Sequence, residues 1–301
     1  MSTIVPMYGF GGGGGTGATL TVTAPSGCTV TVSKDGKTKT KTAGADGVAV
    51  FKGLATGQWT VTITDGEKTA QKTVTITADY STAITFFAAT IHVTYPAGST
   101  CTATDGVTTL TAPDTSGTWD CVVPNAGTWT VSTGNGFQET VEVSANGEEL
   151  TLSKWYLFNN GDTHDSITGG WDITYGRGSG TIGDVISLKT KNPSGSTYGT
   201  CALSTNNQIN FTGCKKLCFQ IACTNSTGGS STYRRFGYKA DGKIAFSSGS
   251  TISEPTAYVG AAVGDTGVNV PVSDISGYVG VAIKTNGSET TTNISAIWIE
   301  G

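Results

Sequence analysis

The sequence has few ionisable side chains and little that could carry catalysis. Asp, Glu, Lys and Arg make up 13% of the 301 residues, and there are only two His. No G-x-S-x-G run accompanies His164, although a hydrolase triad around it with Asp162 or Asp165 stays open. Glycosidase chemistry needs two carboxylates roughly 5–10 Å apart, and Glu254 and Glu289 both lie in polar, loop-like segments. We therefore expect a non-catalytic protein with no cofactor and no metal.

Long apolar runs are also missing. No stretch of 18 apolar residues occurs, so membrane insertion is not expected. The N-terminus has no Lys or Arg and no continuous apolar core, unlike a Sec signal peptide. The formal net charge of −4 gives no reason to expect a nucleic-acid partner. We expect a protein that stays in the cytoplasm until release or leaves as part of a larger particle.

Paired cysteine motifs are absent. The number of Cys is odd, no C-x-x-C run occurs, and the last three are spaced unlike any common zinc site. Free thiols, made in a reducing compartment, are the expectation for all seven. They are Cys28, Cys101, Cys121, Cys201, Cys214, Cys218 and Cys223.

Glycine and alternating apolar and polar residues are abundant instead. There are 43 Gly, and segments such as Thr19–Thr23 and Thr29–Ser33 alternate with the period of a strand. Asp35-Gly36 follows the second of these as a hairpin signal. The pattern predicts an all-β protein, with two small Ig-like or prealbumin-like sandwiches in tandem followed by a larger jelly-roll-like β-sandwich.

One short stretch occurs twice and defines an internal repeat. Gly57–Ile63 and Gly127–Ser132 begin 70 residues apart, and each holds a Trp and a Val on one face of a strand. We expect Trp59 and Trp129 to anchor two cores; exposure of a Trp for stacking on sugars is the alternative. The predicted segments are a Gly-rich anchor or tether (1–18), Ig-like repeats 1 and 2 (19–88 and 89–153), and a C-terminal β-sandwich that forms a binding head (154–301).

The stretch Asp46–Val61 resembles the carboxypeptidase-regulatory-like and Cna-B-like families. The resemblance implies seven-stranded, prealbumin-like sandwiches that serve as spacers, stalks or adhesin modules. Some Cna-B-like domains carry a Lys–Asn isopeptide bond. Residues 19–88 contain no Asn, so that cross-link is not expected in the first repeat.

The N-terminal segment combines an apolar tip with a flexible tether. Gly11–Gly15 is a run of five glycines. An exposed apolar tip suits docking into a groove of another protein, and a disordered tail is the alternative. The predicted partner-docking residues are Ile4, Val5, Pro6, Met7, Tyr8 and Phe10.

Residues 154–301 contain several short strands, of which the opening one (154–158) and the closing one (296–300) are expected to pair. Their order resembles galactose-binding-like and carbohydrate-binding jelly rolls. Flat aromatic rings suit the C–H face of a sugar, and Arg suits hydroxyls or a carboxylate; the same types also anchor protein interfaces or complete a core. Tyr198 is of this kind, and the predicted ligand-binding residues are Trp171, Tyr175, Arg177, Tyr233, Arg234, Arg235 and Tyr238.

The whole layout is similar to bacteriophage structural proteins in which an N-terminal peptide anchors a binding head to the particle. It implies a virion protein assembled in the host cytoplasm, with other virion proteins and a host-surface polysaccharide or glycan as partners. Association with further copies of itself stays open. The alternatives are a bacterial cell-surface adhesin, a carbohydrate-binding module, or a hydrolase built on the C-terminal sandwich.

Overall fold

The computed structural model describes residues 17–66, 68–164, 167, 169–191, 198–225, 232–249, 251–286 and 289–301. These residues form strands and turns only, which confirms the predicted all-β sandwich fold. No helix suited in length and apolarity to span a membrane occurs in them. The predicted docking residues Ile4, Val5, Pro6, Met7, Tyr8 and Phe10 lie outside the described ranges.

The chain divides into two compact units, with the boundary between Phe87 and Ala88. The predicted boundary between residues 153 and 154 falls inside the second unit.

The first unit is a seven-stranded sandwich. One sheet has the order β4-β1-β7 and the other β3-β2-β5-β6, and among the described residues of this unit only the β1–β7 pair is parallel. Alternate residues of each inner strand point into the core between the sheets, as Val30 and Val32 do. The strands are β1 (Ala18–Thr23), β2 (Thr29–Lys34), β3 (Lys37–Thr42), β4 (Val48–Leu54), β5 (Gly57–Asp65), β6 (Lys68–Ile76) and β7 (Tyr80–Ala83).

The second repeat has the same strand order. Its sheets run β11-β8-β14 and β10-β9-β12-β13, again with one parallel pair, β8–β14. The strands are β8 (Ala89–Thr94), β9 (Cys101–Thr104), β10 (Thr109–Thr111), β11 (Thr118–Val123), β12 (Gly127–Thr133), β13 (Gln138–Val143) and β14 (Glu149–Leu152).

The two Trp residues occupy equivalent core positions. Trp59 is 6% exposed and Trp129 is fully buried. Each indole Nε1–H donates to the backbone carbonyl four residues earlier, at 2.9 Å for Ala55 and 3.1 Å for Asn125. Burial of the ring with its one polar group satisfied is what a sandwich core requires. The structure thus confirms the prediction that both Trp residues are core anchors.

The C-terminal sandwich has two antiparallel sheets. In the first, β29 pairs with β15 and β19 along one edge and with β22 along the other; β16, β18 and β27 extend this sheet. The second has the order β17-β20-β28-β23-β26, and β21 also pairs with β28. The strands are β15 (Trp155–Asn159), β16 (Asp162–Thr163), β17 (Trp171–Tyr175), β18 (Gly178–Ile182), β19 (Ile186–Thr190), β20 (Gly199–Thr205), β21 (Ile209–Asn210), β22 (Lys216–Asn225), β23 (Thr232–Lys239), β24 (Ala245–Ser248), β25 (Thr251–Ser253), β26 (Ala257–Gly260), β27 (Gly267–Pro271), β28 (Ser276–Thr285) and β29 (Thr290–Glu300).

The first and last strands of this sandwich pair, as the sequence predicts. Trp155 in β15 lies opposite Ile299 in β29 in antiparallel register. Both side chains are fully buried.

Within the second unit, the second repeat and the C-terminal sandwich are joined by specific contacts. The Trp155 Nε1–H donates to the Thr94 carbonyl at 3.0 Å, and the Tyr156 backbone N–H donates to the Glu139 carboxylate at 2.6 Å. Gly213 has a φ of +75°, and a Cβ built there would lie 1.9 Å from the Ala97 carbonyl oxygen. Only glycine fits this close approach of two backbones.

Candidate functional site

The strands of the C-terminal sandwich bring distant parts of the chain together at one end. Thr285, at the end of β28, lies opposite both Gly199 at the start of β20 and Thr232 at the start of β23. At the same end of the first sheet, Thr290 lies opposite Thr190. We call this the Thr285 end.

Arg234 is the buried cation of this end. It is 2% exposed and reaches from β23 of one sheet to β29 of the other, where its Nε–H donates to Thr292 at 2.8 Å and a second nitrogen donates to Thr290. It also donates to the side-chain oxygen of Asn225 at 2.7 Å. Burial lowers the pKa of Arg234, yet a guanidinium stays charged at neutral pH. The Arg234 side chain therefore joins the two sheets from inside.

The neighbours of Arg234 on β23 point the opposite way, to the outer face of the second sheet. There the Arg235 guanidinium carbon lies 4.8 Å from the Tyr233 ring centroid and 4.4 Å from that of Tyr258. Glu254 accepts hydrogen bonds from the Tyr233 hydroxyl and from Arg235. The guanidinium is thus held between two aromatic rings by one carboxylate.

Lys284 and Tyr198 extend this arrangement along the sheet. Lys284 lies opposite Tyr233 in the register of β28 and β23. Its Nζ is 4.5 Å from the Tyr198 ring centroid and 5.9 Å from that of Tyr233. We call the set the Tyr–Arg patch, which consists of Tyr198, Tyr233, Arg235, Glu254, Tyr258 and Lys284.

The patch combines open ring surface with fixed polar groups. Tyr198 is 36% exposed and Tyr258 is 44% exposed. Burial, followed by the hydrogen bond to Glu254, raises the pKa of Tyr233 above its ordinary value. The Tyr233 hydroxyl therefore stays protonated and keeps donating to Glu254 at neutral pH.

The hairpin formed by β24 and β25 covers part of the outer face of the second sheet. Ile244, just before β24, and Ile252 in β25 pack on Ala202 and Ala282, which are fully buried at the middle of the sheet. The small Ala side chains leave room for these two Ile residues. The Tyr–Arg patch lies beside this covered area, toward the Thr285 end.

The structure brings together two of the seven predicted ligand-binding residues, Tyr233 and Arg235. Arg234 and Tyr238 alternate with them on β23 and are buried. Tyr238 packs edge-on against Phe211 with ring centroids 4.9 Å apart, and its hydroxyl accepts the backbone N–H of Ser273. Arg234 and Tyr238 therefore do not form part of the open surface.

The other three predicted residues lie on or next to β17, away from the patch residues of β23. Trp171 is 9% exposed, and its indole N–H has no hydrogen-bond partner in the described part of the chain. Tyr175 is 51% exposed. Arg177 lines an open cleft of about 500 Å³ together with Lys189, Lys191 and Glu289.

Sequence reasoning missed Glu254, Tyr258 and Lys284 as members of a site. Each is separated by 19 or more positions from its partner on β23. Strand pairing places Tyr258 and Lys284 beside β23, and the segment after β25 brings Glu254 to Arg235; the sequence pattern leaves both undetermined. Tyr198 carried a signal, because it is an aromatic residue in a loop-rich segment.

The residues considered for catalysis or metal binding are dispersed. Glu254 lies in the patch, and Glu289 pairs with Lys191 at 3.5 Å. His164 follows β16, and Asp165 falls outside the described ranges. Among the described residues, no group of three or more His, Cys, Asp or Glu side chains is arranged to hold a metal ion.

Comparisons with known proteins found distant matches among solved structures and none at the level of sequence families. No protein-family model matches the chain, and no curated protein matches it. A structure described as a carbohydrate-binding module of the β-sandwich superfamily is 13% identical, with a TM-score of 0.29, over 82% of this chain and 93% of that one. The Bacillus anthracis TIE protein is 13% identical, with a TM-score of 0.21, over 90% of this chain; this chain covers 49% of its length. At these TM-scores neither similarity carries an argument about this chain.

Proposed function

We propose that the C-terminal sandwich binds glycans through the Tyr–Arg patch, without transforming them. The observation that carries the proposal is the Arg235 guanidinium held between the Tyr233 and Tyr258 rings by Glu254. Such a surface offers the C–H face of a sugar ring an apolar aromatic platform. Beside it are charged donors and an acceptor for hydroxyl groups.

The patch is preorganised for this role. Arg235 and the Tyr233 hydroxyl are both fixed by Glu254, so little side-chain entropy is lost when a ligand binds. The Tyr198 and Tyr258 rings keep accessible surface. A ligand can therefore contact rings and charges together without rearranging the sheet.

A test compares two exposed tyrosines. Replacing Tyr258 with Ala removes one ring of the patch, and we expect about a fivefold weaker affinity for a glycan found by array screening, since an aromatic contact is worth about 1 kcal/mol. Tyr80→Ala is the matched control, because Tyr80 is 42% exposed and belongs to the first unit. Equal affinity of both variants and the wild type, measured by titration calorimetry, would refute the proposed site.

We further propose that the protein belongs to a phage particle, assembled in the host cytoplasm, and holds the binding head away from it. The two repeats with one strand order suit a spacer, and residues 1–18 would dock on other virion proteins. Deletion of residues 1–18 should abolish incorporation into particles while glycan binding persists. Unchanged incorporation would contradict the anchor role, and export to a bacterial cell surface would favour an adhesin.

A further inference from the structure

We infer that the glycan bound at the Tyr–Arg patch is anionic and carries carboxylate or sulfate groups. This inference rests on the proposed function and names the class of its ligand. It follows from the balance of charge at the Thr285 end of the C-terminal sandwich.

Cations outnumber carboxylates at this end. The described residues there include three carboxylates, Glu254, Asp265 and Glu289. None of residues 192–197, 226–231 and 287–288, which follow β19, β22 and β28 in the sequence, is ionisable. The cations are Arg177, Lys189, Lys191, Arg234, Arg235 and Lys284.

The carboxylates nearest the patch are already engaged. Glu254 is bound to Arg235 and Tyr233, and Glu289 pairs with Lys191. Lys284 has no carboxylate partner among the described residues, and it contacts the rings of Tyr198 and Tyr233. An ammonium group held over aromatic rings at an accessible surface is a ready partner for an anion on a ligand.

Arg234, buried inside the sandwich beneath the patch, adds to the positive electrostatic potential at the patch surface. It lies between Tyr233 and Arg235 in sequence, is buried, and donates to neutral oxygens of Thr292, Thr290 and Asn225. No carboxylate compensates it in the part of the chain that the structure describes. A buried charge is screened less by salt than a surface charge, so its field reaches the surface above.

Aromatic rings and a small group of cations favour an anionic sugar over a nucleic acid. Binding to a duplex would call for a basic stripe long enough to neutralise many phosphates, and the whole protein has a net charge of −4. The patch itself contains two cations, Arg235 and Lys284, of which Arg235 is already paired with Glu254. One uncompensated cation suits an acidic group on a sugar chain whose rings stack on tyrosine.

The test uses one polymer in two charge states. The full chain is titrated with polygalacturonate and with the same polymer after reduction of its carboxyl groups. At low ionic strength we expect affinity for the carboxylated polymer to be at least about tenfold higher. Added salt should reduce this ratio, because screening weakens interactions between exposed charges.

A pair of lysine variants locates the effect. Lys284→Gln should reduce the affinity ratio between the two polymers severalfold. Lys215→Gln, which removes the same charge at the opposite end of the sandwich beside the start of β22, should leave it unchanged. An unchanged ratio in Lys284→Gln would overturn the role of the patch in recognising the anion.

The outcomes separate the two proposals. Equal affinity for both polymers would overturn the anionic class while the glycan-binding proposal stands. Failure to bind either polymer, together with an empty glycan array, would overturn both. Binding of double-stranded DNA as tightly as the carboxylated polymer would also overturn the inference, because the surface would then be selecting charge rather than an acidic sugar.

Discussion

Trp129 shows how one side chain stabilises the second repeat. It is fully buried between the two sheets and satisfies its single donor on the Asn125 carbonyl. Trp59 repeats both features in the first unit.

The cysteines are also core residues: all seven are buried and unpaired, and burial raises the pKa of Cys101 and Cys121 to about 12. Buried thiols with such pKa values are poor nucleophiles.

Replacing Trp129 with a small side chain should therefore strongly lower the free energy of unfolding. We expect Trp129→Ala to lower the free energy of unfolding by about 3–5 kcal/mol, because it leaves a large cavity and an unpaired carbonyl. Val122→Ala is the control in the same repeat, since Val122 is 58% exposed. Denaturant unfolding followed by circular dichroism measures both, and similar small losses would show that Trp129 is not a core anchor.

At the scale of an element, three strands of the second repeat are joined by a protonatable group. His92 in β8 lies 2.8 Å from the Asp120 carboxylate on β11 and 2.5 Å from Glu149 on β14. The hydrogen bond to Asp120, then that to Glu149, raises the pKa of His92 above its ordinary value of 6.5. On β13, burial raises the pKa of Glu139 to about 6.

The raised pKa values of His92 and Glu139 change the stability of the second unit with pH in the same direction. A raised pKa in the folded state means that the protonated form is favoured by folding. The stability that protonated Glu139 contributes to the folded second unit is present below pH 4.5 and is lost as the pH rises through about 6. The stability that protonated His92 contributes is present below pH 6.5 and is lost as the pH rises through the higher pKa of His92 in the folded state. The second unit should thus become less stable from pH 4.5 to above 6.5.

The His92 contribution can be isolated by substitution. His92→Gln should remove the loss of stability above pH 6.5 and keep the loss between pH 4.5 and 6, because Glu139 is unchanged. Unfolding midpoints across this pH range measure the effect. An unaltered pH profile in the variant would show that His92 does not bridge the two carboxylates.

At the scale of the whole molecule, the second unit holds the second repeat and the C-terminal sandwich together through one joint. Trp155, Glu139 and Gly213 all contribute to it. If the proposed function holds, these contacts orient the Tyr–Arg patch relative to the second repeat. The two parts are linked by tertiary contacts as well as by the chain itself.

Two glycines with nearly the same backbone angle test the joint. Gly213 and Gly242 have φ values of +75° and +76°, but a Cβ would meet Ala97 at the first and nothing within 4 Å at the second. Gly213→Ala should therefore destabilise the second unit by more than Gly242→Ala, whose cost is backbone strain of about 1 kcal/mol. Hydrogen exchange at the Trp155 and Tyr156 amides should rise in Gly213→Ala alone. Equal effects of the two variants would show that this contact does not hold the joint.

The sequence by itself determined the all-β fold, the internal repeat and the burial of Trp59 and Trp129. These follow from local rules, because alternation of side chains along a strand assigns each residue to one face. Which residues make up the Tyr–Arg patch, in contrast, depends on the tertiary structure. Alternation on β23 separates Arg235 from Arg234, but it does not say which face is open or which strands lie alongside. Tyr258 and Lys284 reach the patch through the pairing of β26 and β28 with β23, and Glu254 reaches Arg235 from the segment after β25. These placements depend on the packing of the whole sandwich.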